Sequence, residues 1–133
     1  PMLHDEYETL WEQFNDDTGT VNHGWTAAPL YVLSKYVAGI RATEAGFECY
    51  EIAPSDELDH FSCSVWTPKG ELKASLETVD GAHVLTVTAI DAKGTVVIPE
   101  QMGSSITVTG GDAAVDGNRV TFSQTGQYVI TVQ

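Results

Sequence analysis

From residue 46 to its end, the chain alternates apolar and polar residues in short runs, and turn residues separate the runs. Alternation with a period of two is typical of β-strands that bury one face. About eight such runs follow one another without a helical pattern, which favours an antiparallel two-sheet β-sandwich over an α/β fold. The predicted strands are residues 47–52, 60–66, 72–79, 83–90, 95–98, 105–109, 119–123 and 127–132.

A helical pattern precedes these strands. Between residues 26 and 40 apolar side chains cover nearly the whole circumference of a helix, with Thr26 suited to the N-cap, Pro29 to the first turn and Gly39 to the stop. A helix that is apolar on nearly all sides is expected to be buried on nearly all sides, but the β-rich remainder of the chain can cover only one side of it. We therefore expect the other side to face a domain absent from this chain, or to mediate self-association.

The charge of the chain limits its partners. There are 19 acidic residues and 6 basic residues, for a net charge of −13. A surface this negative repels phosphate backbones and anionic lipids, so it disfavours a nucleic acid or an anionic membrane as partner, while a neutral sugar stays open. No stretch of the sequence reaches the ~20 apolar residues that a membrane span needs.

Two cysteines, Cys49 and Cys63, each lie in a strand-like run. They could bond across a sheet or act as two small hydrophobes, so they do not fix the compartment. The four histidines lack metal-site spacing, and residues 116–118 are typical of a turn rather than of a calcium loop. The sequence predicts neither a metal nor a cofactor.

One cluster in the N-terminal part carries residues suited to chemistry. Trp11 and Glu12 precede a polar loop, and His23 follows that loop beside Trp25. Indole faces pack on pyranose rings, and carboxylates and imidazoles bind hydroxyl groups, so the cluster suits a sugar site. The alternative is that both tryptophans are core residues, Glu12 lies on a solvated face and His23 lies in a loop. The pattern of the segment before this loop is equally compatible with a helix and with an extended segment.

These residues and the strands after them resemble a known family. The segments that carry the resemblance are Trp11-Glu12-Gln13-Phe14, Asn22-His23-Gly24-Trp25, the helix from Pro29 to Ile40, Trp66-Thr67-Pro68-Lys69-Gly70, Thr95-Val96-Val97-Ile98-Pro99 and Gly126-Gln127-Tyr128-Val129-Ile130. Their order and spacing resemble the end of bacterial α-L-rhamnosidases of glycoside hydrolase family 78. The resemblance covers nearly the whole chain.

The resemblance implies a fold and a set of roles. Residues 1–42 would be the last part of a catalytic (α/α)6 barrel, and residues 43–133 would be a C-terminal β-sandwich. Glu12 would be the general base of an inverting hydrolysis of terminal α-L-rhamnose, His23 would contact the sugar, and Trp11 would line the site. The family's general acid lies upstream, so the chain alone is expected to be inactive.

Two other functions remain open at this point. A non-catalytic carbohydrate-binding or structural β-sandwich would show exposed aromatic side chains on one sheet face, and Tyr50, Phe61 and Trp66 are the residues to inspect. We expect Tyr50 and Trp66 to pack in the core or at its edge. A relative on the same scaffold could also act on a sugar other than rhamnose.

Overall fold

The structure, a computed structural model, describes residues 3–4, 7–10 and 24–133. The chain divides into two compact units, Pro1–Leu33 and Ser34–Gln133. Within the described ranges, no helix has the length and apolarity needed to cross a membrane. The predicted assignment of residues 1–42 to a catalytic barrel stays a prediction.

The first unit contains a small hairpin and a short helix. Strand β1 (Leu3–His4) pairs antiparallel with β2 (Tyr7–Leu10), so residues 7–10 are extended. A 3-10 turn (Gly24–Ala27) leads into α1 (Ala28–Val32).

The helix predicted for residues 26–40 is shorter and less regular than expected. Thr26 lies within the 3-10 turn rather than at an N-cap, while Pro29 does lie in the first turn of α1. After α1 the chain forms a π-helical turn (Leu33–Val37), and Gly39, at φ +71°, ends the helical backbone as predicted. Residue 40 already belongs to a strand, because its backbone pairs with Ile52.

The second unit contains ten strands and two further 3-10 turns, Ala45–Phe47 and Glu100–Met102. In chain order the strands are β3 (Ile40–Ala42), β4 (Cys49–Ile52), β5 (His60–Thr67), β6 (Gly70–Val79), β7 (Ala82–Ala89), β8 (Lys93–Val97), β9 (Ile106–Thr109), β10 (Ala114–Asp116), β11 (Arg119–Phe122) and β12 (Gly126–Val132). All eight predicted strands are present. Two three-residue strands at sheet edges, β3 and β10, were not predicted.

The ten strands form two five-stranded sheets, which confirms the predicted mainly β fold. The first sheet has the order β10-β11-β8-β4-β3, and the second has the order β5-β6-β7-β12-β9. The pairing of β4 with β8 is parallel, unlike the all-antiparallel arrangement expected. A parallel pair needs a long crossover, and here the chain builds β5, β6 and β7 before it returns to the first sheet.

A single apolar core lies between the sheets. Ile52 and Val96 of the first sheet and Leu72, Leu85 and Ile130 of the second are 0–1% exposed and belong to one cluster. Because side chains alternate along each strand, burying this set leaves the opposite set on the two outer faces. Those outer faces carry the polar groups described below.

Gly39 allows the chain to pass from the helical turn into β3. A Cβ atom there would overlap the backbone carbonyl of Ala53, whose amide donates a hydrogen bond to the Gly39 carbonyl at 3.1 Å. Gly46 has a similar φ of +66° with no atom within 4 Å of such a Cβ. Alanine at position 39 would therefore combine atomic overlap with backbone strain, whereas alanine at position 46 would introduce backbone strain alone.

We predict that Gly39→Ala lowers the free energy of unfolding by about 2–4 kcal/mol, because overlap adds to the cost of a positive φ. Gly46→Ala should lower it by about 1–2 kcal/mol, the strain alone. Urea unfolding of both variants measures the difference. Equal losses would show that the approach to Ala53 relaxes without cost.

Candidate functional site

The predicted site residues Trp11, Glu12 and His23 lie outside the described residues. The structure describes the elements on either side: β2 ends at Leu10, immediately before Trp11, and the 3-10 turn begins at Gly24, immediately after His23. Whether the three side chains share one site is therefore not tested, and their roles stay predictions.

In the helical segment that follows in the sequence, several large apolar side chains are exposed. The exposed fractions in the helical segment are Leu30 61%, Tyr31 58%, Val32 46%, Leu33 53% and Tyr36 61%. We call the four that belong to the first unit, Leu30, Tyr31, Val32 and Leu33, the helical apolar surface. Lys35 Nζ lies 5.4 Å from the centre of the Tyr36 ring, a cation–π arrangement.

The outer face of the first sheet carries a cluster of ionic contacts. Glu51 of β4 lies between Arg41 of β3 and Arg119 of β11, and each guanidinium contacts a different carboxylate oxygen, that of Arg119 at 3.3 Å. The Glu51 side chain is 13% exposed, whereas the arginine side chains are about half exposed. With each oxygen in contact with a different guanidinium group, this carboxylate links three strands.

A groove of about 310 Å³ runs beside this cluster, lined by Thr43, Glu44, Cys49, Glu51, Lys93 and Arg119, among others. Burial, together with the nearby Glu44 carboxylate, raises the pKa of the Cys49 thiol. Nucleophilic cysteines need a lowered pKa, so Cys49 lacks the activation that catalysis requires.

Tyr50 and the two cysteines also lie in the described part and carry ionisable groups. Burial raises the pKa of the Tyr50 phenol well above its usual range, and the backbone of Ile90 offsets only part of this shift. Cys49 and Cys63 are both free thiols on different sheets, so they are not bonded to each other. Cys63 packs against the core, whereas Cys49 is only partly buried and lines the groove. No cluster of three or more potential metal ligands occurs among the described residues.

Only some of the aromatic residues of the strands are buried as expected. Tyr50 is 1% exposed, as expected, and Phe61 packs against the core. Trp66 is 78% exposed, so the expectation that it packs in the core or at its edge is wrong. The signal was present in the sequence, since Phe61, Cys63 and Val65 alternate on one face of β5 and Trp66 falls on the other.

No protein-family model matches the chain, and no curated protein matches it in sequence. Two α-L-rhamnosidases are among the solved structures that match it in fold. One is the α-L-rhamnosidase of Streptomyces avermitilis in complex with L-rhamnose, with a TM-score of 0.68 and 21% identity. The other is the α-L-rhamnosidase of Dictyoglumus thermophilum, with a TM-score of 0.67 and 17% identity.

The chain has the fold of part of an α-L-rhamnosidase. Each match covers 96% of this chain, but only 14% and 16% of the two enzyme chains. The chain thus spans about a seventh of their length. The resemblance to α-L-rhamnosidases noted in the sequence is confirmed at the level of fold.

The ionic cluster on the first sheet gives a test of how that sheet is held together. Replacing Glu51 with Gln should lower the free energy of unfolding by about 1–2 kcal/mol, because two guanidinium groups lose their charged acceptor. Glu48→Gln is the matched control: the Glu48 side chain is 63% exposed and contacts only Lys69, at 2.9 Å, among the ionic contacts described. It should cost less than about 0.5 kcal/mol. Urea denaturation measures both, and equal losses would contradict a stabilising role for Glu51.

Proposed function

We propose that this chain is the C-terminal part of a glycoside hydrolase that removes terminal α-L-rhamnose from a glycan with inversion. The observation that carries the proposal is the fold match over 96% of the chain to two α-L-rhamnosidases. The sequence segments that resemble the same family support it, because they include residues suited to chemistry as well as strands.

In this proposal Glu12 is the general base that activates water, His23 contacts the rhamnose, and Trp11 lines the site. An inverting glycosidase uses two carboxyl groups about 6.5–9.5 Å apart, one as acid and one as base. The acid would lie in the part of the protein that precedes this chain. General acid–base catalysis contributes about 10²–10⁴-fold, so the chain alone should not hydrolyse a rhamnoside at a useful rate.

The helical apolar surface supports a contact with the preceding part of the same polypeptide. A set of neighbouring apolar side chains that are 46–61% exposed is unusual for a stable soluble surface. The match covers only 14% and 16% of the two similar enzymes, so most of such a protein would lie outside this chain. We assign this surface to the proposed catalytic barrel.

Hydrolysis of an aryl α-L-rhamnoside tests the proposed activity. The full-length protein should be active and the 133-residue chain inactive. Glu12→Gln in the full-length protein should lower turnover by about 10²-fold or more, since the water loses its base. Glu48→Gln, an exposed carboxylate in the sandwich, should leave turnover unchanged. Near-normal turnover in the Glu12 variant would refute its role, and activity of the short chain would refute an upstream acid.

Self-association of the 133-residue chain tests the proposed docking surface. Without the barrel, the helical apolar surface should drive concentration-dependent association, measured by sedimentation velocity. Leu33→Asp should weaken it because a charge then lies in the contact. Val115→Asp is the control, since Val115 is 49% exposed but lies on β10. A chain that stays monomeric at all concentrations would contradict the assignment.

A further inference from the structure

Trp66 has the largest exposed fraction among the large apolar side chains described, at 78%. It lies near the end of β5, which is an edge strand of the second sheet. The alternation of β5 sends Phe61, Cys63 and Val65 towards the core and leaves Trp66 on the outer face. An indole held in solvent by a regular strand contributes little to the core, so its exposure calls for another explanation.

The nearest neighbours of Trp66 on that face are polar. Trp66 pairs in register with Glu71 of β6, and Lys73, two residues further on, forms an ion pair with Glu71 at 2.9 Å. The side chain of Lys73 is 53% exposed and that of Glu71 is 28% exposed. Both groups are therefore accessible beside the indole.

The polar surface continues across the sheet. In register, Ser64 of β5 is followed by Lys73, then by Thr88 of β7 and Gln127 of β12. These four residues place hydroxyl, ammonium and amide groups in one row on the outer face. A row of donors and acceptors with an indole two residues from its first member, Ser64, has the chemistry that recognises pyranose rings and their hydroxyl groups.

Other occupants fit this surface less well. A protein partner would need an apolar centre, but the other large exposed apolar residue on this face, Val79, lies eight positions from Glu71 along β6, or about 26 Å away. A nucleic acid could stack on the indole, but the net charge of −13 repels it. The pairing of Glu71 with Lys73 leaves the immediate surroundings of Trp66 electrically balanced, which suits an uncharged ligand.

We propose that Trp66, Glu71 and Lys73 form a binding site for a neutral pyranose residue of a glycan. The indole packs on the apolar face of the sugar ring, and the carboxylate and ammonium groups bind its hydroxyls. This proposal uses none of the residues proposed for catalysis and does not rest on the proposed hydrolase activity.

Affinity gel electrophoresis of the 133-residue chain tests the proposal. The gels contain one of three neutral polysaccharides, galactan, xyloglucan or arabinoxylan, or the charged polygalacturonate. At least one neutral polysaccharide should retard the chain, and Trp66→Ala should weaken that binding by about tenfold or more, because the stacking surface is lost. Val79→Ala, an exposed apolar residue on the same face, should bind as the unchanged chain does.

A second measurement locates the site and guards against a folding defect. In ¹⁵N-HSQC spectra of the same chain, the bound polysaccharide should shift the indole N–H of Trp66, assigned through Trp66→Phe, and the amides of Glu71 and Lys73. The spectrum of Trp66→Ala should otherwise be unchanged, since the side chain is exposed. Three results would overturn the proposal: no retardation by any neutral polysaccharide, retardation that survives Trp66→Ala, or a change of oligomeric state caused by that variant.

Discussion

The stacking of Phe122 on Tyr128 joins the two sheets, and much of the core is arranged around it. The ring centres are 4.3 Å apart with the planes 15° from parallel, and the residues come from β11 and β12, one on each sheet. Tyr50 meets Phe122 at 6.3 Å in a tilted geometry. The strand beneath them needs Gly94, since a Cβ there would lie 2.5 Å from Phe122 and 2.6 Å from Tyr50. Three large rings fit between the sheets because one position of β8 has no side chain.

Once the inner faces are filled in this way, the outer faces follow from the period of the strands. On the first sheet this leaves Arg41, Glu51 and Arg119 in contact across β3, β4 and β11. On the second sheet it leaves Trp66 beside Glu71 and Lys73. In the first cluster both guanidinium groups contact one shared carboxylate, and these contacts hold strands together. The second leaves an apolar ring in water, and that difference is why a ligand is proposed for one face and not for the other.

How well the sequence predicts a strand or helix depends on how many residues that element contains. Strands of four to ten residues, such as β6, repeat their alternation often enough to be recognised. The three-residue strands β3 and β10 are too short to show it, and only their pairing with the next strand in the chain, β4 or β11, identifies them. The helix ends before residue 40 because the backbone of Ile40 pairs with Ile52 of β4. This pairing outweighs the helical pattern of the sequence at that position. The orientation of Trp66 follows from local alternation along β5. The sequence pattern does not predict whether Glu12 and His23 lie close together, because no periodicity runs through the polar loop between them.

The charge of the chain bears on the ligand in both proposals, although neither proposal depends on the other. A net charge of −13 weakens the binding of polyanions, but it does not affect the stacking of an indole on an uncharged ring or a hydrogen bond to a sugar hydroxyl. A neutral glycan is therefore the kind of ligand that both a rhamnoside hydrolase and an accessory sugar site on the sandwich can hold in common. In the proposed hydrolase, an accessory site would tether a polymer to the same molecule as the proposed catalytic residues. Binding at Trp66 is then expected to assist hydrolysis of a polymer more than hydrolysis of a small aryl glycoside.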